Sequence, residues 1–585
     1  MLHAQNDTGT RAQWFVDARY GMFIHWGAYS AAEGEWKGEK LRNDNDYAEW
    51  IQYRNRIEKE EYLNLLDRFD WEVIDPEAWV ILAKEAGMKY VTITAKHHDG
   101  FALWNSPSSA YNIYNYSSPK RDIIRELAEA CKKHDLKLGL YYSHWIDWEH
   151  PNSWDHTKEI SGLSAEDYDR YWQEKVIPQM RELLTNYGDI GIIWFDMWIH
   201  HSKTIVTKEQ LFQLKKLIRE LQPDCLINSR LGLSIEEDTA IDFRTLGDNQ
   251  LGKQKLDYPW QTPATVAHSW GYHAEDSQWK STTTLLKSLI GNVSLNGNFM
   301  LNIGPRANGE VPYEIKTRLK NIGQWLQRNG ASIYNSGAFD LRTDLHDWGK
   351  ITFSATDPNQ IKVFLHVFNW PLNKQLKVTG ITSTPTKVYS LVDEDKKAIP
   401  FIHQGALTTI NLSKVIRDPY VPVLVMEFEK VPNVEKGLVA INKADGFALN
   451  SDNAIHTKGD AIQKEKERYG TIPEHLLIKG KQNLKWRVYI DQPGSYQFDT
   501  SYSFQKSAAL GTITVKSNEQ SQTLELNPTG KTIGEPLQNW VIDNFKSQHI
   551  GEIKFEKAGV FEIEIELNPS LGTTFQWQWL WGSLK

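Results

Sequence analysis

From about residue 15 to residue 335, short apolar runs alternate with stretches of helical periodicity, and beyond that point the helical stretches stop. Nothing else in the chain restricts its fold as strongly. Strand–helix alternation needs parallel strands joined by crossover helices, whereas short strands separated by turn residues build antiparallel sheets. Eight strand candidates are legible: YGMFIHW, KYVTITA, LKLGLYY, IGIIWFD, DCLINSR, AIDFRT, ATVAHSW and NFMLNIG. Between them lie helical stretches such as PEAWVILAKEAG, SPKRDIIRELAEACKKHD, YWQEKVIPQMRELLTNYG and KEQLFQLKKLIRELQ. Eight such units over roughly 300 residues have the size of a (β/α)8 barrel.

After QRNGASIYNSG the pattern becomes KITFSATD, IKVFLHVF, LKVTGI, KVYSLV and YVPVLVMEFE, then LKWRVYIDQPGSYQFDTSYS, GTITVKS, IGEIKFEKAGVFEIEIELN and FQWQWLW. At 585 residues one core cannot serve the whole chain,. The expected organisation is a multidomain α/β plus β protein. A barrel spans 1–335, a small antiparallel β-sandwich 336–430, and a second sandwich of jelly-roll type 431–585. The tryptophans of FQWQWLW either face that last sandwich's core or form a carbohydrate-binding surface.

A net charge of −8 with no basic tract argues against nucleic acid as a partner,. No apolar run reaches the ~20 residues of a membrane span,. The start, MLHAQNDTGT, reads as the tail of a removed signal peptide behind an added Met, so a periplasmic or secreted protein is expected,. Cys131 and Cys225 have neither zinc spacing nor a disulfide pattern and read as buried thiols,. Twenty-four Trp and 24 Tyr exceed what a core requires, and their amphipathic rings suit the faces of sugars,. Nothing in the sequence speaks to oligomeric state.

In such a barrel the C-terminal strand ends form the active face. Asp196 stands there after the apolar run of the fourth strand, with Trp194 and Trp198 on either side. The first strand ends in His25 and Trp26, the second in His97, His98 and Asp99, the third in Tyr141, Tyr142 and Trp145, the fifth in Arg230. Polar and aromatic side chains gathered on one rim indicate a pocket. There is no HExxH, cysteine ligand or carboxylate cluster, so neither a metal nor any other cofactor is expected. A GxSxG nucleophile turn and a phosphate-cradling glycine loop are also missing. Glycoside hydrolysis remains, which needs two carboxyl groups about the scissile bond. Asp196 supplies the first.

The blocks RYGMFIHWGAYS, YAEW, YVTITAKHHDGFALWNS, LGLYYS, WFDM and LNIGPRANGEVP, in this order over about residues 12–335, resemble the α-L-fucosidases of glycoside hydrolase family 29. The resemblance implies an exo-acting retaining glycosidase that releases terminal α-L-fucose from fucosylated oligosaccharides or glycoconjugates. It places Asp196 as the nucleophile that forms a covalent glycosyl-enzyme, and His25, His97 and His98 on the sugar hydroxyls. It further implies pocket roles for Glu49 and Trp50, for Tyr141 or Tyr142, for Trp194 and Arg230, and for Trp270 beside the sugar's C5 methyl. One departure stands out: the positions where the family often carries its acid/base glutamate hold Gly247 and Gln261. Asp248 and Glu49 are the replacement candidates, with Glu236, Glu237 and Asp257 more remote. At this stage an enzyme with altered sugar preference, a sugar-binding protein on an inactive barrel, and a metal hydrolase using the histidines remain as rivals.

Overall fold

The computed structural model describes residues 11–585 except 42–46, 155–161, 198–204, 237, 239, 342–345, 358–360, 436–437, 441–445, 452, 459–461, 466–474, 505–510, 531–532, 536–539 and 543; in 438–440, 456–458, 462–465, 533–535 and 540–542 it describes the backbone alone. The leader remnant expected at 1–10, Trp198 and Glu237 therefore lie outside the described residues. The chain divides into two compact units. One runs to Ala338 and takes in Thr352–Ser354 and Pro419–Val421; the other is Phe339–Ile351, Ala355–Asp418 and Pro422–Lys585.

The first unit is a (β/α)8 barrel. Its strands are β1 (Tyr20–Ile24), β2 (Tyr90–Lys96), β3 (Lys137–Tyr142), β4 (Ile190–Phe195), β5 (Leu226–Ile227), β6 (Arg244–Thr245), β7 (Trp260–Ala264) and β8 (Asn298–Ile303). They pair in parallel in the order β5-β4-β3-β2-β1-β8-β7-β6. The ring closes between β5 and β6 through a parallel bridge of Asn228 with Phe243, with Asp242 N donating to Ile227 O and Ser229 N to Phe243 O, each at 2.9 Å. All of β4 is buried, as a strand with helices outside and packed side chains inside must be,. Helices α1 (Pro76–Glu85), α2 (Ile123–His134), α3 (Ile177–Asn186), α4 (Lys208–Leu221), α5 (Thr282–Val293) and α6 (Tyr313–Asn329) lie between or after the strands. Asp75, Asp122, Thr207 and Ser281 cap α1, α2, α4 and α5 by accepting first-turn N–H groups,. Cys131 and Cys225 are free and buried, and burial pushes both thiols up to about 12.

The seventh strand is WQTPA, not ATVAHSW, whose last six residues form the loop leaving the barrel mouth. The prolines flanking WQT make it read as a turn. Pro263 is tolerated because the ladder uses its carbonyl: Asn249 N donates to Pro263 O and Leu246 N to Gln261 O, each at 2.9 Å.

Beyond the barrel, the strands between 349 and 428 form a four-stranded and a three-stranded sheet, and those between 438 and 584 form two six-stranded sheets and one of two strands. No described strand of the first group shares a sheet with one of the second. The contact grouping nevertheless joins them in one unit, where the sequence reading divides the chain at 430.

Candidate active site

Asp196 is the first residue after β4, and its placement begins with Asn228. The Asn228 side chain acts as a substitute rung, with Phe195 N donating to Asn228 Oδ1 at 2.8 Å and Asn228 Nδ2 to Phe195 O at 2.9 Å. Beyond that rung, Met197 N donates to Arg230 O at 3.0 Å, tying together the chain segments after β4 and β5. Arg230, in the turn Ser229–Leu231, extends its guanidinium over the Trp194 ring. Its Nη1 donates to Asp196 Oδ1 at 2.7 Å, and its Nη2 to Asp248 Oδ1 at 2.5 Å and to Leu246 O at 2.9 Å. Burial pulls Arg230 down, but Asp248 and Asp196 outweigh that and hold it above the ordinary arginine value. Tyr141 OH donates to Asp196 Oδ2 at 3.1 Å. One arginine thus joins two carboxyl groups at the mouth.

His25 and His97 are set as neutral groups. Asn302 Nδ2 donates to Trp270 O at 2.7 Å, so its Oδ1 accepts from His25 Nδ1 at 2.7 Å and His25 Nε2 remains an acceptor,. Burial, opposed by that Asn302 bond, takes His25 down to about 3. Ser143 Oγ donates to Ile146 O at 2.7 Å, so it accepts from His98 Nδ1 at 2.7 Å and His98 Nε2 faces Asp196 Oδ2 at 3.8 Å. His97 stacks on Tyr141 with centroids 5.3 Å apart and is held well below the usual histidine range by burial.

A cavity of about 630 Å³ opens over these groups, lined by His25, Glu49, Trp50, His97, His98, Tyr141, Trp194, Asp196, Arg230, Asp248 and Trp270. Phe23, Tyr47, Tyr53, Arg54 and Gly247 complete its wall. Glu49 lies in the turn Ala48–Trp50 and is 1% exposed. Its Oε2 accepts from Gly271 N at 2.9 Å. Burial, against that bond and with help from the Asp248 and Asp196 charges, pushes Glu49 up to about 8, so it is protonated at neutral pH,. The Asp248 side chain is 41% exposed.

Several expected positions lie elsewhere. Tyr142 points away from the cavity, its OH donating to Gln179 Oε1 at 2.8 Å, because successive strand residues face opposite ways,. Gln261 is sealed inside the barrel, accepting from Trp194 Nε1 at 2.9 Å and donating to Tyr90 OH at 2.8 Å, so it has no position from which to handle a proton. Trp26 packs on Trp79 and Phe69, Asp99 accepts from Tyr62 OH, and Trp145 stacks on Trp154. Glu236, bonded to Tyr258, and Asp257 are exposed and outside the cavity lining. The sequence reading missed Phe23, Tyr47, Tyr53 and Arg54 in the wall, and Asn302 and Ser143 behind the histidines. Asn302 does sit in the LNIG block, where an asparagine in an otherwise apolar strand was a usable signal. Among the described residues no group of three or more His, Cys, Asp or Glu could hold a metal ion, and no helix is long and apolar enough to cross a membrane.

The family model described as alpha-L-fucosidase matches residues 3–331. The chain belongs to the alpha-L-fucosidase family, glycoside hydrolase family 29. Membership makes it an α-L-fucosidase-type glycoside hydrolase and accounts for the barrel followed by antiparallel sheets. Among relatives, the alpha-L-fucosidase of Dictyostelium discoideum is 28% identical over 433 residues, covering 70% of this chain and 90% of that one. The tissue alpha-L-fucosidase of Homo sapiens is 29% identical over 398 residues, covering 65% and 80%. The crystal structure of an alpha-L-fucosidase from Vibrio sp. strain EJY3 superposes with a TM-score of 0.77 at 27% identity, covering 99% of this chain and 98% of that one. A family 29 alpha-L-fucosidase from Bacteroides thetaiotaomicron, described as a trapped covalent intermediate with 2-fluoro-fucosyl fluoride, matches at TM-score 0.62 and 27% identity over 72% of this chain and 96% of that one. A covalent intermediate is the signature of the retaining route in that relative.

Proposed function

We propose that the protein is an exo-acting retaining α-L-fucosidase that removes terminal α-L-fucose from fucosylated oligosaccharides or glycoconjugates, with Asp196 as nucleophile and Asp248 as acid/base. The observation that carries this reading is one guanidinium gripping both carboxylates at the open end of the barrel, with Tyr141 fixing the other oxygen of Asp196. Retaining glycosidases need their two carboxyl groups ~5–5.5 Å apart, and an arginine bonded to both Asp196 and Asp248 keeps that pair close,.

In the first step an Asp196 oxygen bonds to the anomeric carbon while the glycosidic bond breaks, and the leaving oxygen takes the proton of Asp248. In the second, Asp248 takes a proton from water, the water oxygen attacks the anomeric carbon, and Asp196 leaves as carboxylate. The Asp196 carboxylate suits the charge of an oxocarbenium-like transition state. His25 Nε2 accepts a hydrogen bond from a sugar hydroxyl without the cost of burying further charge. Phe23 and Trp270 offer apolar wall for the methyl of a 6-deoxy sugar.

Asp248 is preferred over Glu49 for the acid/base because it meets solvent, which must deliver water and accept the aglycone. Glu49 is sealed against Gly271 N, and its protonated carboxyl serves as a hydroxyl donor to the sugar. Turnover of p-nitrophenyl α-L-fucoside, with the anomer of the first-formed fucose read by NMR, tests the reading. Initial release of α-L-fucose is expected; initial release of the β anomer, or no turnover, overturns it.

A further inference from the structure

The chain's last strand, Phe575–Leu584, carries three tryptophans at alternate positions, and in a regular strand all three would share one face,. They do not. Against the strand Gly494–Ser503 the register shifts, so that Trp577 pairs with Tyr502 but Trp579 with Ser501. Trp577 is fully buried, its Nε1 donating to Thr500 Oγ1 at 2.9 Å. After the bulge, Leu580 is buried and Trp579 and Trp581 are turned to the outer face, both half-buried. Bulges of this kind re-aim side chains and concentrate near functional surfaces.

The outer face also carries polar side chains. Trp581 lies opposite Asp499, and Asp499 lies opposite His549, whose Nδ1 meets Asp499 Oδ1 at 2.9 Å. Ser501 Oγ donates to Gln578 Oε1 at 2.7 Å, leaving the Gln578 Nε2 hydrogens without a partner among the described residues. Two indole faces beside an amide, a hydroxyl and a carboxylate can stack an apolar sugar face and hold its hydroxyls. A carboxylate on this face repels anionic groups, so the surface suits a neutral ligand rather than an anionic one.

We infer that this face, around Trp579, Trp581, Asp499 and Gln578, is a second carbohydrate-binding surface that takes a neutral pyranosyl unit of the glycans the barrel trims. The identity of those glycans rests on the fucosidase reading; the stacking surface rests on the bulge and its neighbours. A second attachment on the same glycan raises the effective concentration of its fucosyl ends at the barrel without any new catalytic contact.

Native affinity electrophoresis of the full chain carrying Asp196→Asn, in gels with and without porcine gastric mucin, tests the inference. The protein is expected to be retarded by mucin, and adding Trp579→Ala with Trp581→Ala should weaken retardation at least ~10-fold, the size of effect an aromatic anchor carries. In the chain with Asp196 intact, the same pair should leave p-nitrophenyl α-L-fucoside hydrolysis unchanged. Should the tryptophan variants fail to fold, Asp499→Ala with Gln578→Ala decides, again with weakened retardation expected. No retardation of the parent, or equal retardation of a folded variant, overturns the inference. Failure of aryl fucoside hydrolysis strikes the fucosidase reading alone.

Discussion

Two charge clusters lie close to the barrel's open end, and they are built to opposite ends. Behind the histidines, the buried Asp147 accepts from Lys96 Nζ and lies against Lys175 Nζ, each at 2.8 Å, and takes the backbone N–H groups of Glu149 and His150 on its other oxygen. Lys96 and Asp147 are fully buried and Lys175 nearly so. Burial would raise Asp147, but the two lysines outweigh it and hold the carboxyl well below the usual range. Lys175 also reaches Glu149, and Lys96 reaches Tyr171 OH. In the cavity the ratio is reversed: Arg230 bonds to both Asp196 and Asp248, and Asp248 is part-open to solvent. The first cluster fastens the segments after β2 and β3 that present His97, His98 and Trp148. The second holds two carboxyl groups on one guanidinium where a ligand can reach them. Carboxylates buried against lysines fix position; carboxyl groups open to a cavity are available for chemistry.

If that contrast holds, substitutions in the open cluster change rate and those in the closed one change stability. Asp196→Asn should lower kcat by on the order of 10³-fold or more, as loss of a nucleophile does, while shifting the melting temperature little. Asp248→Asn should cost ~10²–10⁴-fold on a natural glycan and far less on an aryl fucoside, whose leaving group needs no proton. Equal losses on both substrates would remove Asp248 from the acid/base role. Lys96→Met, measured by denaturant unfolding, should destabilise the barrel by about 3–5 kcal/mol, the cost of breaking a buried pair. Its kcat on the aryl fucoside should fall less than that of Arg230→Met, and the reverse order would erase the distinction between the clusters.

The smallest expected effect is a pH slope. Glu49 is raised in the folded protein to about 8 from an ordinary value of 4.5, so between these values the folded state binds the extra proton. The stability this contributes is complete below about 4.5 and is lost as pH rises through about 8. Glu49→Gln should therefore flatten the fall in melting temperature between pH 5 and 8; an unchanged slope would show that Glu49 is not the group responsible.

Much of this was legible because barrel strands and their exits leave local marks. Long apolar β2, β3 and β4 and the polar residues after them are visible without tertiary information. β5 and β6 are only two residues each in the ladder, and the side-chain rung from Asn228 that holds β5 beside β4 has no local signature. β7 was displaced because its prolines look like a turn until their carbonyls are seen in the sheet. Asp248 was nameable as a candidate, but its tie to Asp196 through Arg230 spans residues 18 and 34 positions away from that arginine. The direction of Tyr142, the sealing of Gln261 and the turn-out of Trp579 and Trp581 each depend on register, which a one-residue shift reverses.

The central claim is that Asp196 becomes covalently bonded to the sugar. Incubation with 2-fluoro-fucosyl fluoride followed by proteolysis and mass spectrometry tests it most directly. The account predicts one fluorofucosyl adduct, on the peptide containing Asp196, and none in the Asp196→Asn variant. An adduct on Asp248, on Glu49 or on any other residue would contradict it.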